Sequence, residues 1–189
     1  MVMLKCAPCK NIFRNAMDLN KIQLGTAAEF NVVIEIPAGS APIKYEMDKD
    51  SGALFVDRFV SSAMTYPANY GFIPHTLSED GDPADVVVIT PYPLAYGSVI
   101  TCRALAVLRM EDESGIDAKI IALPTKKLCP LYAEIDSVEQ LPQLAIQQIV
   151  HFFENYKKLE KGKWVKLSGI DDAAAATKEI QDSIARAIS

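Results

Sequence analysis

The sequence predicts an α+β fold: a twisted antiparallel sheet or a small, twisted, OB-like antiparallel β-barrel, with flanking C-terminal helices. Three observations predict it. Between Phe30 and Pro124, short β-rich runs follow one another, separated by turn residues. No helical segment alternates with those runs, so βαβ units are not expected. In the C-terminal third the apolar residues recur at helical spacing instead.

Taken in order, residues 1–28 show no clear period and read as a poorly ordered N-terminal extension, with Met17 as an alternative start. Residues 29–189 then form one domain. "FNVVIEIP" is a strand closed by Pro37, and "IKYEMDKDSGALFVDRF" a hairpin turning near Asp50-Ser51-Gly52. "DVVVITP" is a short buried strand. "GSVITCRALAVLRM" and "DAKIIALP" are strands joined by the polar turn Glu111–Ile116. Ser137 and Gln140 make a capping-box pattern, and Pro142 suits a first helical turn. Leu144, Ile149, Phe152, Phe153, Tyr156 and Leu159 follow at helical spacing. Asp171 or Asp172 caps a last helix whose apolar stripe is Ile180, Ile184 and Ile188.

Composition excludes several functions. Half of the 189 residues are hydrophobic and 23% are charged, an ordinary balance for a soluble globular chain. The net charge of −5 argues against a nucleic-acid surface, where a basic stripe is expected. No uncharged run is a continuous apolar stretch of the ~20 residues that a membrane helix needs. The N-terminus has no apolar core of a secretory signal. Cys6 and Cys9 form a CxxC, but no second pair completes a zinc site and no βαβ unit follows. Free thiols in a reducing cytoplasm are the simpler reading.

Three clusters carry chemistry. In "SEDGDPADVVVI", Glu79, Asp80, Asp82 and Asp85 crowd four carboxylates into seven residues. A like-charge pair at ~4 Å costs ~4 kcal/mol near a protein surface, so the segment is either a solvated acidic loop or a cation site. It is not an EF-hand, because counting from Asp80 the sixth and twelfth positions are Asp85 and Pro91. Gly81 and Pro83 make a tight turn that can aim carboxylates at one point, and hard oxygens suit Mg2+ or Mn2+. In "EDESGIDAK", Asp112 lies in a turn, and Asp117 and Lys119 share a sheet face, which alone is equally well a salt bridge. The third cluster is spread over the first strands. Glu35 stands in an apolar strand and needs a partner or a role. Lys44 and Glu46 point to one face, and Arg58 ends the next strand. No P-loop, GxGxxG or GxSxG pattern is present.

With these clusters in this order, the sequence resembles family I soluble inorganic pyrophosphatases of bacterial type, from about Phe30 to the C-terminus. The most specific match is the signature "DGDPADV", Asp80–Val86. Around it stand "EIPAGS", "PIKYE", "GALFVDRF", "YPANYGFIP", "TPYPL", "GSVI", "EDESGIDAK" and "HFFENYKKLEKGKW". The resemblance implies hydrolysis of pyrophosphate to two phosphates with Mg2+ as cofactor, in a cytoplasmic homohexamer, with neither nucleic acid nor a membrane as partner. It implies that Asp80, Asp85 and Asp117 hold the activating metal ion. Glu35 and Asp112 match ligands of further metals, and Asp82 matches the group that takes a proton from the attacking water. Lys44, Arg58, Tyr70, Lys119, Tyr156 and Lys157 match the phosphate-holding groups, and Glu46 and Tyr66 match supporting members of the pocket. Residues 1–16 have no counterpart. Two competing functions are an OB-like nucleic-acid module, which the charge opposes, and a passive cation binder, which leaves the four basic residues Lys44, Arg58, Lys119 and Lys157 unexplained.

Overall fold

The apolar run Val32–Ile34 lies in β1 (Phe30–Ile36), which is almost wholly buried. The computed structural model describes residues 17–188. β2 (Ile43–Met47) and β3 (Leu54–Phe59) form a separate two-stranded hairpin, as expected from its turn residues. In that turn the Asp48 carboxylate accepts from the Ser51 N–H at 2.8 Å. Gly52 has φ +64°, and a Cβ there would stand 1.8 Å from the Met17 carbonyl oxygen, so a side chain is excluded. The remaining strands are β4 (Asn69–Phe72), β5 (Asp85–Val88), β6 (Val99–Asp112), β7 (Gly115–Ile116), β8 (Lys119–Pro124) and β9 (Val165–Asp171). The helices are α1 (Gln143–Asn155) and α2 (Ala173–Ile188).

The ring closes as β1-β4-β5-β8-β6 and back to β1. It is antiparallel except between β5 and β8, which run parallel with Asp85 beside Lys119. β6 is long enough to serve two partners on one edge: residues 99–102 close on β1, and residues 107–112 take β9. Side chains alternate across the sheet with period two. Val87, Leu108 and Ile121 face one cluster with Ile149, Phe152 and Phe153 of α1. Val86, Val88, Val107 and Ile120 face a second cluster with Ala176 and Ile180 of α2. Both faces are covered, which is why β5 and β8 read as continuous apolar runs rather than as alternating ones.

Several expectations change. The C-terminal third is not all helical, because β9 intervenes between the helices. Leu159 lies beyond the end of α1, and it and Leu144 are exposed rather than part of the apolar face. The Ser137–Gln140 pattern is used, but on a 3-10 turn ahead of α1: the Gln140 side chain accepts from the Ser137 N–H at 2.9 Å. Asp172, rather than Asp171, caps α2, accepting from the Ala175 N–H at 2.9 Å. Ile188, placed on the apolar stripe, is exposed. Residues 17–28, expected within a loose extension, are packed in part: Leu19 is buried with Val33, Met47 and Phe72. Residues 1–16, with Cys6 and Cys9, lie outside the described residues.

Candidate active site

The parallel pairing of β5 with β8 creates the centre of the site. It sets Asp85 and Lys119, the first residues of the two strands, side by side. The Lys119 ammonium lies between the Asp85 and Asp117 carboxylates and hydrogen-bonds to both. Lys119 is only 3% exposed, a burial that a charged lysine tolerates only with such partners. Burial alone would push its pKa down, but the two carboxylates hold it above the ordinary lysine value. Asp117 is raised in turn by its burial and by the nearby Asp85 charge, against the pull of Lys119. Two acids share one cation here.

The turn from β4 to β5 delivers Asp80 and Asp82 to the same cleft. The Asp82 N–H donates to the Asp80 carboxylate at 3.1 Å, which holds the turn tight. Burial raises the Asp80 carboxyl above its usual range. Asp82 is exposed and lies 3.3 Å from the ammonium of Lys49, which reaches across from the hairpin turn. At the far end of β6, Asp112 is buried against Lys157, and its other oxygen accepts from the Ser114 N–H at 2.7 Å. Glu113 sits 3.4 Å from Lys157 and 3.3 Å from Lys163. Its slight burial is outweighed by its own backbone N–H and by these two lysines, which hold its pKa down to about 2.

Glu35 projects from β1 into the cleft at 6% exposure and accepts from the Met47 N–H at 2.7 Å. Burial dominates there, raising its pKa to about 8. From the hairpin, Lys44 lies 3.2 Å from Asp57 and 3.7 Å from Glu46. Arg58 is held at 3.0 Å by Asp57. Behind the charges stands an aromatic wall. Tyr66 packs at 4.6 Å on Phe152, Phe152 stacks at 5.3 Å on Tyr156, and Tyr70 lies beneath the Lys119 ammonium at 5.6 Å from its ring centre. Burial raises the pKa of Tyr66, Tyr70 and Tyr156, so all three remain phenols able to donate hydrogen bonds.

All fourteen candidate site residues line one cavity of about 220 Å³. They come from β1, both hairpin strands, the β3–β4, β4–β5 and β7–β8 connections, β4, β5, β6, the start of β8 and the segment after α1. The same walls include Lys49, Glu113 and Lys163, to which sequence reasoning gave no role. Glu113 follows Asp112 in the turn already singled out, and Lys163 lies in the "KKLEKGKW" stretch. Their charge next to candidate residues was the available signal.

The lining holds eight carboxylates against six cationic side chains. Among the described residues, no three potential donors converge on one point as they stand. Ammonium groups fill the centres of the carboxylate pairs instead. Among the described residues, the donor set of the lining is all hard oxygen, without thiolate or imidazole, which fits Mg2+ or a similar divalent cation.

Comparison with known proteins identifies the family. A family model described as "Inorganic pyrophosphatase" matches residues 32–188. The inorganic pyrophosphatase of Vibrio vulnificus is 58% identical over 173 residues, covering 90% of this chain and 98% of that one. That of Salmonella typhimurium is 64% identical over 156 residues, covering 82% and 89%. Among solved structures, an inorganic pyrophosphatase from Coxiella burnetii superposes with a TM-score of 0.85 at 48% identity, covering 87% of this chain and 99% of that one. The Thermus thermophilus enzyme gives 0.85 at 42% identity, covering 92% and 100%. With the family model spanning most of the described residues and these relatives matching nearly end to end, the chain belongs to the inorganic pyrophosphatase family.

Proposed function

We propose that the chain hydrolyses inorganic pyrophosphate to two orthophosphates with Mg2+ as cofactor. The observation that carries this reading is the gathering into one cavity of ten residues singled out by charge and spacing, five metal-binding candidates among them, together with Tyr66, Tyr70, Tyr156 and Lys157, which the resemblance alone implied. Pyrophosphate is polyanionic, and a cleft richer in carboxylates than in cations binds it well only with added positive charge. Asp80, Asp85 and Asp117, with Glu35 and Asp112, would hold the ions. Bound Mg2+ supplies positive charge that makes a nearby water more acidic and offsets charge on the phosphoryl oxygens.

The chain's own groups divide the remaining work. Asp82, exposed at the tip of the turn, accepts the proton of the attacking water. The oxygen of that water bonds to one phosphorus as the bridging P–O bond breaks, and the bridging oxygen leaves with the second phosphate. Arg58 offers a bidentate fork to a phosphoryl group, and Lys44, Lys119 and Lys157 offer point charges. The phenols of Tyr70 and Tyr156 donate to phosphate oxygens, while Glu46 and Tyr66 keep the surrounding side chains in place.

We further infer a cytoplasmic homohexamer that engages neither nucleic acid nor membrane. Cys102 and Cys129 are free thiols, which suits a reducing compartment. Among the described residues, no helix is long and apolar enough to cross a membrane. The test of the activity is phosphate release from pyrophosphate with Mg2+ and with excess chelator. Release only with metal is expected. No release in either condition overturns the reading, and release unaffected by chelator overturns its metal dependence.

A further inference from the structure

Thr76 lies in the connection that carries Asp80 and Asp82, yet it does not line the cleft. The β4–β5 ladder ends with Phe72 opposite Asp85, followed by one more bond from the Ile73 N–H to the Ala84 carbonyl at 2.9 Å. Beyond it the two segments part, and they meet again only where the Ser78 N–H donates to the Asp82 carbonyl at 2.7 Å. The Thr76 hydroxyl closes this gap from the side. It donates to the Ile73 carbonyl at 2.6 Å and accepts from the Ala84 N–H at 2.9 Å. Thr76 is 5% exposed, so water competes little for either bond.

The chain doubles back to make this bridge. His75 has φ 59°, the one positive value outside glycine among the described residues. A side chain at that φ crowds its own backbone, and such a conformation persists where its surroundings impose it. Leu77, the residue after Thr76, is anchored as well: its N–H donates to the Ser183 carbonyl at 2.9 Å, and Arg186 Nε donates to its carbonyl at 2.8 Å. Both partners belong to α2. Ser78 to Pro83 therefore form a short turn on a fixed base, and Ala84, which Thr76 ties down, immediately precedes Asp85.

We propose that Thr76 is a positioning residue for the hydrolytic reaction. By joining Ile73 to Ala84 it sets the mutual placement of Asp80, Asp82 and Asp85, and with it the affinity of the cleft for a divalent cation. The inference rests on the pyrophosphatase reading of the cleft. Thr76→Val keeps the shape and removes both hydrogen bonds, whereas Thr76→Ser keeps the hydroxyl. Mn2+ binding to the substrate-free protein, followed by paramagnetic resonance, reads the placement without relying on turnover. Thr76→Val should weaken Mn2+ binding about 10- to 100-fold and lower kcat at fixed Mg2+ by a similar factor, as loss of a group supporting metal ligands does. KM for pyrophosphate at saturating Mg2+ should change by less than about threefold, and Thr76→Ser should recover binding and kcat to within about threefold of wild type. If wild type itself releases no phosphate, the pyrophosphatase reading fails, and the Mn2+ measurement still decides the role of Thr76. Wild-type-like Mn2+ binding in Thr76→Val, or a Thr76→Ser protein as impaired as Thr76→Val, overturns the proposal. Should Thr76→Val not fold, Thr76→Ala is judged by the same criteria; if that too is unfolded, the hydroxyl serves folding alone and the proposal falls.

Discussion

Asp82 is held differently from the carboxylates around it. Asp85 and Asp117 share the Lys119 ammonium and Asp112 is paired with buried Lys157, whereas Asp82 is exposed and, among the described residues, its ion pair is with the half-exposed Lys49. That leaves it free to accept a proton without first breaking a buried pair. Asp82→Asn should lower turnover ~10²–10⁴-fold with the fold intact and with much less loss of Mg2+ affinity than Asp85→Asn. Turnover above about a tenth of wild type would exclude Asp82 as the base. Arg58 and Asp85 should separate in the opposite sense: Arg58→Ala weakens pyrophosphate handling, and Asp85→Ala weakens Mg2+ dependence. Normal Mg2+ dependence in both variants would refute that division. Glu35 supplies a pH test in the metal-free protein. Its folded pKa is about 8 against 4.5 unperturbed, with burial as the main cause. The folded state thus holds a proton that the unfolded chain releases, so the stabilising contribution is full below 4.5 and is lost as pH rises through about 8. With chelator present, wild type should lose thermal stability relative to Glu35→Gln across that window. A constant difference between the two proteins would show that Glu35 titrates normally.

At the scale of elements, legibility followed how local the signal was. The hairpin was readable because Asp48, Ser51 and Gly52 determine its turn within a few residues. β9 was not. Val165 and Leu167 alternate with Lys166 and Ser168, but Gly169 interrupts the run, and the strand exists because the far half of β6 offers it an edge. The parallel β5–β8 pair was equally hidden, since its two strands are joined through the whole of β6 and β7. The site residues were legible as types and spacings before their elements were, because the signature stretch and its neighbours are short and local. Lys49 and Lys163 were not, since each lies several residues from its nearest candidate, Glu46 or Lys157, and only the folded backbone turns its side chain to the cleft. The N-terminal region divides in the same way. Residues 1–16 show no amphipathic pattern, so their deletion should leave activity and Tm nearly unchanged; a loss of activity beyond about tenfold would contradict this. Leu19 is different, because its side chain fills space beside Met47, whose N–H holds Glu35. Leu19→Ala should cost ~2 kcal/mol of stability, measured by denaturant unfolding.

At the scale of the whole molecule, the two helices play unlike parts. α2 buries Ala176 and Ile180 against one face of the sheet and reaches the acidic turn through Ser183 and Arg186. α1 buries Ile149, Phe152 and Phe153 against the other face and ends at Tyr156 and Lys157, which line the cleft. The outer side of α1 carries Leu144, 65% exposed, and His151, whose ring lies 3.1 Å from the Asn155 amide. Single exposed apolar residues are ordinary, but this face lies on the helix that ends at the site, so its cover would steady Tyr156 and Lys157. We therefore place a contact between copies on α1 in the proposed hexamer. A two-fold contact repeats each substitution on both sides, so a charge introduced there meets its own copy. Leu144→Glu combined with His151→Glu should shift the sedimenting species from six chains to smaller assemblies at micromolar concentration, while circular dichroism stays unchanged. A wild-type protein that sediments only as monomer would refute the hexamer itself. A double variant that stays hexameric would move the contact away from α1, leaving the exposed Phe55, Val56 and Phe59 of the hairpin as the next surface to test.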